Sequence, residues 1–126
     1  MTMGDLTEHF SKSEFACKCG CGKDDISIDL VVRLERLRGF LRHPIHIHSG
    51  VRCEMYNVQV GGKVDSAHLT GEAADIECAD SHTRWLMKRH INVWSLFNRV
   101  GNGNTFLHVD VSKTLPQEVE WNYPQS

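Results

Sequence analysis

The segment TFLHVDVS, residues 105–112, alternates its side chains at period two. Residues two apart on a strand share a face, so Leu107, Val109 and Val111 make an apolar surface while Phe106, His108 and Asp110 project from the other. The apolar surface must be covered by a packed layer, which leaves His108 and Asp110 facing a cleft. The stretch AADIEC, residues 73–78, repeats the device, with Ala74, Ile76 and Cys78 opposed to Asp75 and Glu77. A third alternation, IHIHS after Pro44, turns Ile45 and Ile47 inward. His46 and His48 share its outward face, where polar side chains belong whether or not they bind a metal.

Between these strands the period changes. Ile28, Leu30, Val31, Leu34, Leu37 and Leu41 recur at three- and four-residue steps after a Ser27 cap and before Pro44, which predicts an amphipathic helix. Ser81 or Asp80 can cap a second long helix through Trp85 and Leu86 toward Trp94. Trp85, Trp94 and Phe97 are expected in the core rather than on a sugar platform. SGVRCEMYNVQVGG reads as a turn, a short helix and a break, and VGNGN as a turn. At 126 residues the chain is one domain. The predicted class is α+β, a compact single domain over 1–126 with a small, mainly antiparallel sheet and flanking helices. Residues 1–26 form a cysteine-containing N-terminal arm and residues 113–126 a loosely packed C-terminal tail.

A formal charge of -2 gives no electrostatic case for a nucleic-acid partner or an anionic membrane. No apolar run reaches the length a bilayer span needs, so no membrane insertion is expected. The start MTMGDLTEHF lacks the basic and apolar regions of a secretory signal, so synthesis and folding are expected in a cytoplasm. The protein is expected to act as a monomer.

His68 precedes the second strand, and Gly71 lets the backbone between them turn, so that His68 and Asp75 can approach one centre with His108. Two histidines and one carboxylate match a catalytic zinc shell, which keeps a fourth position open for water. No helical HExxH pair occurs, so strands and loops must hold any such ion. Taken singly, each histidine reads as a surface or hydrogen-bonded core residue and each aspartate as a turn cap; only the joint pattern on the strand faces points to a metal. Five cysteines fit an internal disulfide framework poorly. Cys17, Cys19 and Cys21, with Cys53, can make a structural zinc site that ties the arm to the SGVRC turn, although their one-residue gaps are closer than usual zinc spacing. Cys78 reads as a plain thiol.

The ordered strings SGVRCEMYN, VGGKVDSAHLTGEAADI and FLHVDV resemble peptidase family M15, the zinc D-alanyl-D-alanine carboxypeptidases and phage endolysins, over about residues 8–112. The resemblance implies that His68, Asp75 and His108 are the zinc ligands and that the fold is the one shared with the Hedgehog signalling domain. It implies a peptidoglycan peptide substrate, an oxyanion-stabilising role for Arg52 and a substrate-lining role for Ser66. Tyr56 and Asn57 follow Arg52 and can line the cleft or serve as cap and packing residues. A Cys17 to Cys53 contact is implied as well. Zinc would lower the pKa of its water and polarise the scissile carbonyl.

Two departures stand out. Thr105 occupies the position that carries Glu or Asp in the better-known branch, and Val51 replaces a tyrosine. Asp110 and Glu77 are then the carboxylates available as general base, with Asp110 favoured as an orienter of a metal-binding imidazole. The expected function is a zinc peptidase that cuts an amide bond in peptidoglycan stem peptides, as carboxypeptidase or endopeptidase, in a phage or prophage setting. It would act on the wall after release or as a virion component. The alternative is a catalytically inactive zinc-containing binding or structural module of the same fold.

Overall fold

The structure, a computed structural model, describes residues 4–124. Helix α1, Ile28–Leu41, starts where Ser27 Oγ accepts from the Leu30 N–H at 3.4 Å, and its apolar stripe buries Leu30, Val31, Leu34, Leu37 and Leu41. Ile28 belongs to the same sequence pattern but sits on the first turn and is exposed. Arg42, left-handed at φ 59°, ends the helix two residues before Pro44. Strand β1, Ile47–Ser49, buries Ile47 and leaves His48 half-buried. A short helix α2, Glu54–Gln59, follows, and β2, Ala73–Glu77, turns Ala74 and Ile76 into the core.

Helix α3, Ser81–Val93, is capped by Asp80, whose carboxylate accepts from the Thr83 N–H at 2.7 Å. Its buried residues are Met87 and Ile91, four apart on one stripe. Trp85 and Trp94 are 57% and 54% exposed, which corrects the expectation that they belong to the core. Trp94 stacks instead on Phe40 of α1 with ring centroids 4.8 Å apart, outside the core. Phe97 is buried, beyond the helix end.

Strands β3, Arg99–Asn102, β4, Phe106–Asp110, and β5, Val119–Asn122, complete a five-stranded sheet in the order β1-β2-β4-β3-β5. All neighbours are antiparallel except β3 and β5. One face packs on α1 and α3 through Ala74, Ile76, Val100, Leu107 and Val109. Phe10 and Phe15 from the N-terminal arm join the same core, so the arm is part of the packed body. The α+β class and the mainly antiparallel sheet agree with the sequence pattern.

Two strands escape the sequence reading. The stretch read as the turn VGNGN contains most of β3, and the tail read as loosely packed contains β5. Glycine caused the first error: a Cβ on Gly101 would lie 2.6 Å from Tyr123 Cε2 and 2.7 Å from Trp121 Cε2. The residue is there because rings of the β5 segment lie over the backbone, a reason for glycine inside a strand.

Candidate metal centre

Asp75 and His108 are direct cross-strand partners in the β2–β4 ladder, so both project from the sheet face opposite the core. His68 reaches them from a 3-10 turn, Ala67–Thr70, whose N-terminus is capped by Ser66: the hydroxyl oxygen accepts from the His68 N–H at 3.2 Å. Gly71 ends that turn at φ 72°, and a Cβ there would come within 2.2 Å of the Asp25 carbonyl oxygen. Only glycine fits both the left-handed backbone and that approach.

The three side chains converge. His108 Nδ1 lies 3.0 Å and His68 Nε2 3.3 Å from the same oxygen, Asp75 Oδ1. A tetrahedral ion with bonds of roughly 2.1 Å to N and O ligands has edges of about 3.4 Å, so these separations suit one shared cation. The remote ring nitrogens are also committed. His68 Nδ1 lies 2.6 Å from the Gly50 carbonyl oxygen, which can only accept, so the proton sits on Nδ1 and Nε2 is turned to the centre. His108 Nε2 lies 2.7 Å from Asp110 Oδ2, which fixes the opposite tautomer there and leaves Nδ1 for the centre. Two ring nitrogens therefore face one carboxylate oxygen, an arrangement that calls for protons or a metal cation between them. The donor set fits zinc.

Electrostatics follow the same contacts. Burial opposes ionisation of Asp75, but hydrogen bonds from His108 and His68 and their charge outweigh it and hold the carboxyl well below the usual range. Burial likewise disfavours charged His108, yet hydrogen bonds to Asp110 and Asp75 prevail and raise its pKa. Asp110 is fully buried and saturated: Arg99 Nε donates to both its oxygens at 2.9 and 3.1 Å, and the Ser112 N–H adds a further bond. So occupied a carboxylate orients His108 rather than shuttling protons.

Arg52 points at the centre from the loop before α2. Its Nη2 lies 3.5 Å from Asp75 Oδ2, and its Nη1 donates to the buried Asn57 Oδ1 at 3.2 Å. Its buried Nε has no partner among the described residues. Ser66 acts as the cap of the His68 turn. Tyr56 is half-buried on α2, and among the described residues no hydrogen bond joins its phenol to the centre. Glu77, exposed at the end of β2, lies on the face of Asp75 and meets His48 Nε2 at 3.4 Å.

Arg99, Trp121 and Tyr123 carry no sequence signal that singled them out. The Trp121 ring lies 5.3 Å and the Tyr123 ring 6.2 Å from the His108 ring, and Arg99 stacks over Trp121 at 5.0 Å. Burial raises the pKa of Tyr123, and the negative charge of Asp75 adds to the shift. A strand pattern in 119–122 was the only available hint, and the mixture of charged and aromatic residues obscured it. A cavity of about 680 Å³ lies elsewhere, beside Cys78, Arg84 and Trp85, and includes none of the centre's residues.

The four cysteines named from the sequence also converge. Cys17, Cys19, Cys21 and Cys53 place their sulfurs within 4.8 Å of one another, and Cys78 lies apart, buried in the core.

Residues 8–110 match the Peptidase M15 family, and the chain belongs to it. It is thus a peptidase by family, and zinc dependence is general among the members. His68, Asp75, His108 and Arg52 all fall inside the matched range, whereas Trp121 and Tyr123 lie beyond it. No curated protein matches the chain closely enough to serve as a relative. No helix among the described residues is long and apolar enough to cross a membrane.

Proposed function

We propose that the chain is a zinc-dependent peptidase hydrolysing an amide bond in the peptide stems of bacterial peptidoglycan, by carboxypeptidase or endopeptidase action, in a phage or prophage setting. The observation that carries this reading is the meeting of His68 Nε2, Asp75 Oδ1 and His108 Nδ1, with each imidazole's other nitrogen already bound to an acceptor. These three side chains would hold the ion, which when bound supplies Lewis acidity and an acidified water.

The rest of the chemistry belongs to the chain. Arg52 is steadied by Asn57 through Nη1, and its Nη2 stands 3.5 Å from Asp75 Oδ2, where the guanidinium can donate charge-assisted hydrogen bonds to an oxyanion. Asp110, held by Arg99, fixes the His108 ring. With Asp110 committed, Glu77 is the carboxylate of this face left to take a proton. Action on the wall, after release or from a virion, follows from the substrate.

A second reading, an inactive zinc module of the same fold, draws on Thr105 and on the 2–6% exposure of the three converging residues. Digestion of purified peptidoglycan followed by mass spectrometry of the muropeptides separates the two. Cleavage that stops with a chelator and is missing in His108→Ala supports the peptidase, and intact stems alongside full zinc content support the module.

A further inference from the structure

The N-terminal loop CKCGCG presents three thiols at alternate positions, too far apart to share an ion if the chain were extended. It is not extended. Gly20 at φ 83° and Gly22 at φ 90° adopt left-handed backbone that other residues rarely take, and they fold the loop on itself. Cys53 enters from the far side of the molecule's sequence, at the N-terminus of α2.

The resulting separations are those of a metal shell. Cys17 Sγ lies 3.4 Å from Cys19 Sγ, and Cys19 Sγ lies 3.6 Å from Cys53 Sγ. Zinc–sulfur bonds of about 2.3 Å in a tetrahedron give sulfur–sulfur edges of about 3.8 Å. Backbone donors also point at the sulfurs: the Cys53 N–H donates to Cys17 Sγ and the Tyr56 N–H to Cys53 Sγ, each at 3.4 Å. Such bonds stabilise thiolates. The tight spacing that argued against a zinc site in the sequence is thus reconciled by the two glycine turns.

We propose that Cys17, Cys19, Cys21 and Cys53 form a second, structural zinc site that pins the N-terminal arm to the loop carrying Arg52. The loop is already tied to the arm by the Val51 N–H, which donates to the Phe15 carbonyl oxygen at 2.8 Å, and to the first centre by the Arg52 N–H, which donates to the His68 carbonyl oxygen at 2.9 Å. A four-thiolate ion beside Cys53 fixes the backbone from which the Arg52 side chain departs. This site is closed by four protein ligands, so its role is to hold structure, not to bind substrate.

The test uses the whole chain, purified under reducing conditions and loaded with zinc or with cobalt(II) alone. Zinc content of about two equivalents per chain is expected, falling to about one in a Cys19→Ser/Cys21→Ser double variant, whose substitutions lie on exposed loop positions. Cobalt-loaded wild-type protein should show thiolate-to-metal charge-transfer absorption that survives His108→Ala. Absence of that absorption from the wild type overturns the proposal whether or not the double variant folds. So does a chain that holds one zinc in both proteins. Because the readout is sulfur-specific, a protein that passes it and leaves peptidoglycan uncut refutes the functional reading alone.

Discussion

Asp110 grips the Nε2 edge of His108 at 2.7 Å while Arg99 clamps both oxygens of the same carboxylate. The chain Arg99–Asp110–His108 therefore sets which ring nitrogen of His108 turns to Asp75. Replacing Asp110 with Asn keeps the shape but removes the charge that raises the basicity of His108 Nδ1, the nitrogen proposed to bind zinc. Zinc affinity, measured by chelator competition, should fall by about 10- to 100-fold with the fold retained. Unchanged affinity would mean that Asp110 serves packing alone.

The metal-free protein should respond to pH through the same residues. His108 has a raised folded pKa, so its contribution to stability is complete below the ordinary imidazole value of 6.5 and is lost as pH rises through the folded value. Asp75 has a depressed pKa, so its contribution is complete above the ordinary carboxylate value of 3.8 and is lost as pH falls below it. Thermal melts of chelator-treated protein should accordingly peak between those two values and decline on the alkaline side. If His68, Asp75 and His108 hold zinc, added zinc would take over the role of the protons between the rings and Asp75, and the alkaline decline should disappear. A metal-free melting temperature that climbs steadily from pH 6 to 8 contradicts this assignment.

Glu77 carries the third expectation. Thr105 stands where the resemblance to the better-known branch implies a carboxylate, yet the Cys78 N–H donates to the Thr105 carbonyl oxygen at 2.9 Å and Glu77 pairs with Phe106. A carboxylate thus reappears beside that position, supplied by the adjacent strand. If Glu77 is the base, Glu77→Gln lowers kcat by about 10²- to 10⁴-fold while zinc content and KM stay near those of the wild type. Retention of kcat assigns proton transfer elsewhere.

The parts of this architecture that were legible in the sequence are those with a clean period. The alternation in 105–112 and 73–78 placed His108, Asp110 and Asp75 on the face opposite the core, and Ser27 and the Asp80–Ser81 pair marked helix starts, with Asp80 the residue that caps. What remained hidden depends on contacts distant in sequence. Gly101 reads as a turn residue until Trp121 and Tyr123 are seen over it, and Arg99 is an ordinary cation until β3 sets it opposite Asp110. Trp85 and Trp94 misled because aromatic side chains were assumed to be buried, whereas the narrow stripe of Met87 and Ile91 suffices to dock α3.

Gly71 links backbone conformation to the candidate metal centre and can be tested without touching His68, Asp75 or His108. Two constraints act there: φ of 72°, which costs an alanine roughly 1–2 kcal/mol, and the Asp25 carbonyl oxygen 2.2 Å from any Cβ. Asparagine tolerates the left-handed region better than alanine but carries the same Cβ. If the close approach dominates, Gly71→Asn and Gly71→Ala should lower the melting temperature equally, and both should weaken zinc binding because the turn that aims His68 must shift. If backbone strain dominates, asparagine should recover much of the loss. The contact is with backbone in the segment just before α1, where the Ser27 N–H donates to the Gly71 carbonyl oxygen at 2.7 Å. A backbone atom tied by that bond yields less than the far end of a flexible side chain, so the equal-loss outcome is expected.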